Sequence, residues 1–403
     1  MQLTPLNLNT IPLGQPLPFN LRDEAGALLA HKGFVVRSRN DLEAMLGRGL
    51  QLCVDTEESG DSYRAYLAQL QRMLLTADSL GQIAAVKMES AGQRARTAAA
   101  PGPVQWDELE QRAAQLLRAP SQADFLDRFY VLHDELERQV LQSPNASLLA
   151  LMHMSSLETR TYSATHALLV SCIAMLVARE TLAWPEERVR TVGCVALSMN
   201  VAMTALQDQL ALQTQPLTSE QIHAIETHSE RSCALLRSLG VADPLWLEAV
   251  AQHHHRLAGP LAALTEAQQM ARLIQRADVF GARIAPRATR QPLPVTLAMQ
   301  GVYRDEEQRV DEAGAALIKT LGIFPPGAYV RLASQEVGVV LRRGASATTP
   351  RVAVVLNRSG MPTGEPIPRD TAQAAWKIAA PIAQRDVRVQ IPLERLLALA
   401  ERG

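Results

Sequence analysis

A mainly α-helical fold, a helical bundle flanked by a small N-terminal α/β module and a short β-containing C-terminal extension, follows from three observations. Residues 105 to about 322 carry apolar residues at helical spacing almost without interruption. Short β-branched and aromatic runs cluster before residue 57 and after residue 324 instead. Ala99-Ala100-Pro101-Gly102-Pro103 is the sharpest break in the chain, because two prolines and a glycine cannot continue a helix. At 403 residues the chain also exceeds what one compact core holds. The division read from these features is 1–57, a regulatory-type module; 58–104, a helical spacer and linker; 105–323, the helical domain; and 324–403, the β-rich extension.

In order along the chain, Asp23-Glu24-Ala25-Gly26 separates two short apolar runs and reads as a hairpin turn. Phe34-Val35-Val36 reads as a strand, and Asp41 to Leu46 as a short helix closed by Gly47. Leu67, Leu70, Leu74 and Ile83 give residues 63–100 a helical pattern, expected to be a structural spacer or a dimer helix. Pro185, Pro216, Pro244 and Pro260 punctuate the helical domain. After Phe324-Pro325-Pro326-Gly327, three runs predict strands: Tyr329 to Leu332, Val337 to Leu341 and Val352 to Leu356. A short helix from Pro392 to Glu401 closes the chain.

Composition excludes several function classes. The net charge is −1, and no Lys/Arg block supplies the electrostatic footprint of a nucleic-acid polymer or an anionic membrane. The N-terminus lacks a basic-then-apolar signal pattern. The apolar stretch Ala167 to Ala178 falls short of the roughly 20 residues that span a bilayer, so no membrane span is expected. Cys53, Cys172, Cys194 and Cys233 form no CxxC pair, which fits a reduced, cytoplasmic protein.

Chemistry concentrates in the helical domain. His166 lies on a helix predicted from Ser163 to Ala178. Thr218-Ser219-Glu220-Gln221 is a capping box opening a helix expected to carry His228, with His223 off its register and on the surface. Gln252-His253-His254-His255 and Ala277-Asp278 follow, and then Arg287 and Arg290. His133-Asp134 is a literal His-Asp pair, but its setting, His133-Asp134-Glu135-Leu136-Glu137-Arg138, reads as a solvated charged helix.

These positions resemble the metal-ligand register of the HD-GYP family of cyclic di-GMP phosphodiesterases over roughly residues 120–345. Ala271 to Phe280 is the most specific match, and FPPGAYVRL resembles the tail that follows many such cores. The resemblance implies that His166, His228, His253, His254 and Asp278 stand at ligand positions and Arg287 and Arg290 at phosphate-contacting ones. The family's His-Asp slot instead holds Met199-Asn200, its lysine slot holds Met203, and the Gly-Tyr-Pro loop shrinks to Ala258-Gly259-Pro260. A thioether is a weak ligand and an amide cannot bridge two cations. Two dications about 4 Å apart repel by on the order of 15 kcal/mol at an effective dielectric of ~20, so no dinuclear site is expected without the bridging carboxylate. The cofactor is then none, or a single transition metal (iron, manganese or zinc) on His228, His253 and His254.

Three functional readings follow. The first is a catalytically degenerate signalling protein that binds a protein partner, a cyclic dinucleotide or both, with homodimer formation open. The second is an active metal-dependent cyclic di-GMP phosphodiesterase, and the third a structural scaffold without a ligand.

Overall fold

The computed structural model describes residues 105–401 apart from 121–122, 158–159, 258, 388 and 390, together with residues 3–5, 20–23, 26–30, 34 and 53–55. The chain divides into two compact units, Met1–Gly102 and Pro103–Gly403. The predicted strand at Phe34-Val35-Val36 (apart from Phe34), the helix at 41–46 and the helical spacer lie outside the described residues.

In the first unit, β1 (Leu3–Pro5), β2 (Leu21–Arg22), β3 (Leu28–Ala30) and β4 (Cys53–Asp55) form a sheet in the order β1-β4-β2-β3. β2 and β3 pair antiparallel across the Asp23–Gly26 turn, as that turn sequence predicts. Leu21 and Val54 are fully buried on it.

The second unit is predominantly helical. Its axis is α4 (Tyr162–Glu180), preceded by α1 (Trp106–Arg118), α2 (Phe125–Gln142) and α3 (Pro144–Leu157). Every residue of α4 from Tyr162 to Ala178 is buried, the pattern of a helix enclosed on all sides. It packs on α3, on α5 (Glu186–Ser198) and on α10 (Glu266–Ile284). The stretch expected to be too short for a membrane thus extends into a 19-residue helix that is long and apolar enough by length and composition, as is the segment Glu186–Leu212. Its apolar window is 94% buried within the protein, which is the setting of a core helix.

After α5, one 3-10 turn (Val201–Met203) leads into α6 (Thr204–Leu212). Then come α7 (Ser219–Glu226), α8 (His228–Ser238) and α9 (Pro244–Gln252). The Thr218 capping box forms, but the expected single helix through His228 is broken at Thr227, which ends α7 and precedes α8. α9 is pinned to α5 by a buried hydrogen bond, 2.9 Å, from the Trp246 indole N–H to Ser198 Oγ. α8 packs on the 3-10 turn, where the Ala202 amide donates to Ser232 Oγ at 3.2 Å.

α11 (Val295–Tyr303) and α12 (Glu312–Leu321) complete the bundle. The C-terminal strands β5 (Tyr329–Leu332), β6 (Val337–Arg342), β7 (Arg351–Leu356), β8 (Pro362–Asp370) and β9 (Ile378–Ile382) form an antiparallel sheet ordered β8-β7-β6-β5-β9. One face packs on Leu149 of α3 and on α13 (Leu393–Glu401), the other on Val295, Phe324 and Trp376. Both edge strands carry prolines, at Pro362, Pro366 and Pro368 in β8 and Pro381 in β9.

Candidate metal centre

α8, α9 and α10 pack in succession, and α10 packs on α4, so residues more than a hundred positions apart meet. His228 opens α8, His253 follows the last residue of α9, and His254 is the next residue. Their ligand atoms all lie within 4.8 Å of one another, His228 and His253 being buried and His254 exposed.

The helix ends fix the two buried rings. The last carbonyls of a helix have no amide four residues on to receive. His228 Nδ1 donates to the Ile225 carbonyl at 2.5 Å, and His253 Nδ1 donates to the Val250 carbonyl at 2.6 Å. A carbonyl only accepts, so in each ring the proton is on Nδ1 and the neutral form leaves Nε2 bare. The two Nε2 atoms stand 3.2 Å apart. Burial, then the neighbouring His254, pushes the His253 imidazolium down to about 3. Burial likewise lowers His228. Two lone pairs therefore converge near neutral pH with no proton to share, an arrangement whose chemistry suits a shared cation. Carbonyl-oriented imidazoles of this kind are the usual support of a metal-ligating histidine.

His166 and Asp278 form a second group. His166 Nε2 lies 2.7 Å from Asp278 Oδ1. Burial raises the Asp278 carboxyl, but the His166 hydrogen bond and charge, with His254 and His253 beyond, outweigh it and hold the group well below the usual carboxylate range. The Asp278 carboxylate accepts from His166 Nε2, which leaves Nδ1 as the other ring nitrogen. It is buried, with no hydrogen-bond partner among the described residues, beside Gly281, whose hydrogen leaves room for the ring.

Met199 is 1% exposed within the main apolar core. Met203 is also buried, and Asn200 is half-buried. Arg287 is engaged inside the protein: its Nη2 donates to Tyr162 Oη at 2.7 Å, with the guanidinium 4.9 Å above that ring. Arg290 donates to the Ala282 carbonyl.

Sequence reasoning missed Tyr162, which stacks on His166 with ring centroids 5.5 Å apart and planes within 9°. The i, i+4 spacing of the two residues was the available signal. It also missed Gln275, which reaches the His255 carbonyl at 3.4 Å while accepting from Arg272 at 2.8 Å. Arg272 in turn donates to Asp311, the N-cap of α12, at 2.7 Å.

His133 corrects the reading of its segment as solvated. Asp134 is exposed, but His133 is fully buried, stacked on Phe129, and its Nε2 sits where a Cβ on Gly193 would come within 2.5 Å. Burial, then Arg190, pushes its imidazolium down to about 4 against the pull of Asp134. Asp134 and Glu137 are both taken by Arg190, at 2.5 and 2.7 Å.

No family model matches the chain. The cyclic di-GMP phosphodiesterase PA4108 of Pseudomonas aeruginosa is 29% identical over 237 residues, 57% of this chain and 56% of the relative. The chain therefore spans little more than half the length of that curated protein. Among solved structures, Bd1817, a HDG"Y"P protein from Bdellovibrio bacteriovorus, aligns with a TM-score of 0.44 and 16% identity over 78% of this chain and 98% of that one.

Proposed function

We propose that this chain, a relative of HD-GYP proteins, is a signalling protein that holds at most one transition metal and acts by binding a protein partner or a cyclic dinucleotide rather than by hydrolysing one. The observation that carries the reading is the buried Met199 thioether in the apolar core, which the family resemblance aligns with a metal-ligand position. The fit of one metal is good. His228 and His253 offer bare, carbonyl-supported nitrogens, and His254 lies within reach of both. The fit of two is poor, because His166 Nε2 and Asp278 Oδ1 are already engaged with each other and residue 200 is an asparagine, whose amide cannot bridge two cations. A bound metal would supply fixed positive charge and Lewis acidity toward a phosphate oxygen. The protein's own residues orient it: the Ile225 and Val250 carbonyls set the rings, and Gln275 holds the turn after His254.

The second reading, a phosphodiesterase working on one metal, is favoured by that same three-imidazole site. Elemental analysis of tag-free protein, beside a cyclic di-GMP hydrolysis assay with added manganese or iron, separates the two. At most one metal per chain, lost in His228→Ala and kept in Met199→Ala, with no turnover, is the expected result. Two metals per chain would overturn the single-site reading. Turnover abolished by the His253→Ala, His254→Ala double substitution would establish the hydrolase.

A further inference from the structure

A cluster of cations on the C-terminal sheet has no part in the histidine site. Arg342 and Arg351 are partners across β6 and β7, and like charges directly opposite one another destabilise a ladder. Arg351 is relieved by Asp370, 2.6 Å away on β8. The Arg342 guanidinium has no hydrogen-bond or ion-pair partner among the described residues. Its neighbour Arg343 shows the contrast, with its guanidinium used on Asn145, Thr320 and Glu180 at 2.9, 2.9 and 2.5 Å.

A third cation completes the cluster. Arg369 pairs with Glu336 at 3.0 Å and lies 4.8 Å over the Trp376 ring. Its Nε is buried and lacks a hydrogen-bond acceptor among the described residues. Arg342, Arg351, Pro368, Arg369, Asp370 and Trp376 line one cavity of about 420 Å³. Three guanidinium groups with two carboxylates between them leave an excess of positive charge and unused donors.

We infer that this cavity binds the phosphate ester of a nucleotide. A guanidinium fork matches phosphate oxygens in pairs, which suits the free Arg342 and the spare donors of Arg351 and Arg369. The half-buried Trp376, with the Arg369 guanidinium 4.8 Å over its ring, supplies aromatic and cationic groups of the kind on which a base packs. The volume lies at the low end of small-molecule pockets, which admits one nucleotide unit. The inference is independent of the metal reading, since no histidine of that site lines the cavity.

The test is calorimetric titration of the full chain, stripped with chelator, against GMP, guanosine and inorganic phosphate. GMP should bind, more tightly than phosphate, and guanosine should bind far more weakly. Arg342→Gln should weaken GMP about tenfold or more, the loss expected for a charge-assisted hydrogen bond. Arg342→Lys, which keeps the charge without the fork, should recover part of that loss. Trp376→Leu should weaken GMP and leave phosphate unchanged. The inference is overturned if GMP does not bind at millimolar concentration, or binds equally to Arg342→Gln. It is equally overturned if phosphate matches GMP, or if chelation abolishes binding and so moves the ligand to the histidines.

Discussion

Building a His-Asp pair with Met199→His and Asn200→Asp gives the sharpest test of the proposed register. Met199 is 1% exposed in the apolar core, so its replacement forfeits about 1.5–3 kcal/mol of side-chain burial. An imidazole left there without partners adds about 1–3 kcal/mol. The metal-free double variant should therefore lose about 4 kcal/mol, a large share of the ~5–15 kcal/mol that holds most domains folded. A metal that binds the completed ligand set at a hundred times its Kd returns about 2.7 kcal/mol. The assay is the urea midpoint with chelator and with manganese, for the parent, the double variant and Met199→Leu. The leucine control should cost less than about 1.5 kcal/mol, since it conserves volume. Manganese should stabilise the double variant more than the parent. Hydrolysis of cyclic di-GMP should not return, because Met203 and the short Gly259-Pro260 segment stay as they are. A double variant as stable as the parent without metal, or one that gains no more from manganese, would refute the placing of residues 199–200 beside the histidines.

Two further outcomes follow from the packing. His133 titrates near 4 in the folded protein against about 6.5 unfolded, so between these values the unfolded chain holds the extra proton and stability falls as pH falls. From pH 7 to pH 5 the His133 share is about 2 kcal/mol, and His133→Phe should show a correspondingly smaller drop in urea midpoint than the parent; equal drops would mean the ring is not buried as described. Arg272→Met should cost about 3 kcal/mol by stranding Asp311, partly offset by Arg276 at 3.4 Å, and should also weaken metal binding by freeing Gln275. A midpoint within 1 kcal/mol of the parent would show that the pair contributes little.

The sequence carries the fold wherever one period dominates. The helices of the second unit and strands β5, β6 and β7 stand where apolar spacing puts them, because their burial is one-sided or complete. β8 and β9 escaped notice because Pro362-Thr363-Gly364-Glu365-Pro366 and Ala379-Ala380-Pro381 have neither β-branched runs nor alternation. His133 was misread from its charged neighbours, although Phe125, Phe129, Leu132, Leu136 and Val140 place it on the apolar face of α2. At the site, spacing along the chain suggests which histidines gather, and the structure does bring His228, His253 and His254 together. The direction each ring faces depends on two helix ends, at Thr227 and His253, and the first of these lies inside what reads as one continuous helix.

The prolines on β8 and β9 have a consequence for how this chain behaves in company. The strongest β-formers, Val337–Leu341 and Val352–Leu356, lie in two of the three inner strands, flanked on one side by an edge at which Pro362, Pro366 and Pro368 interrupt the row of amide donors. Such an edge is a poor template for a foreign strand. The prolines act as gatekeepers, shielding the most aggregation-prone stretches from runaway strand addition while the sheet assembles. A partner that meets the β8 edge must therefore recognise its side chains, because the backbone there offers no continuous seam to extend.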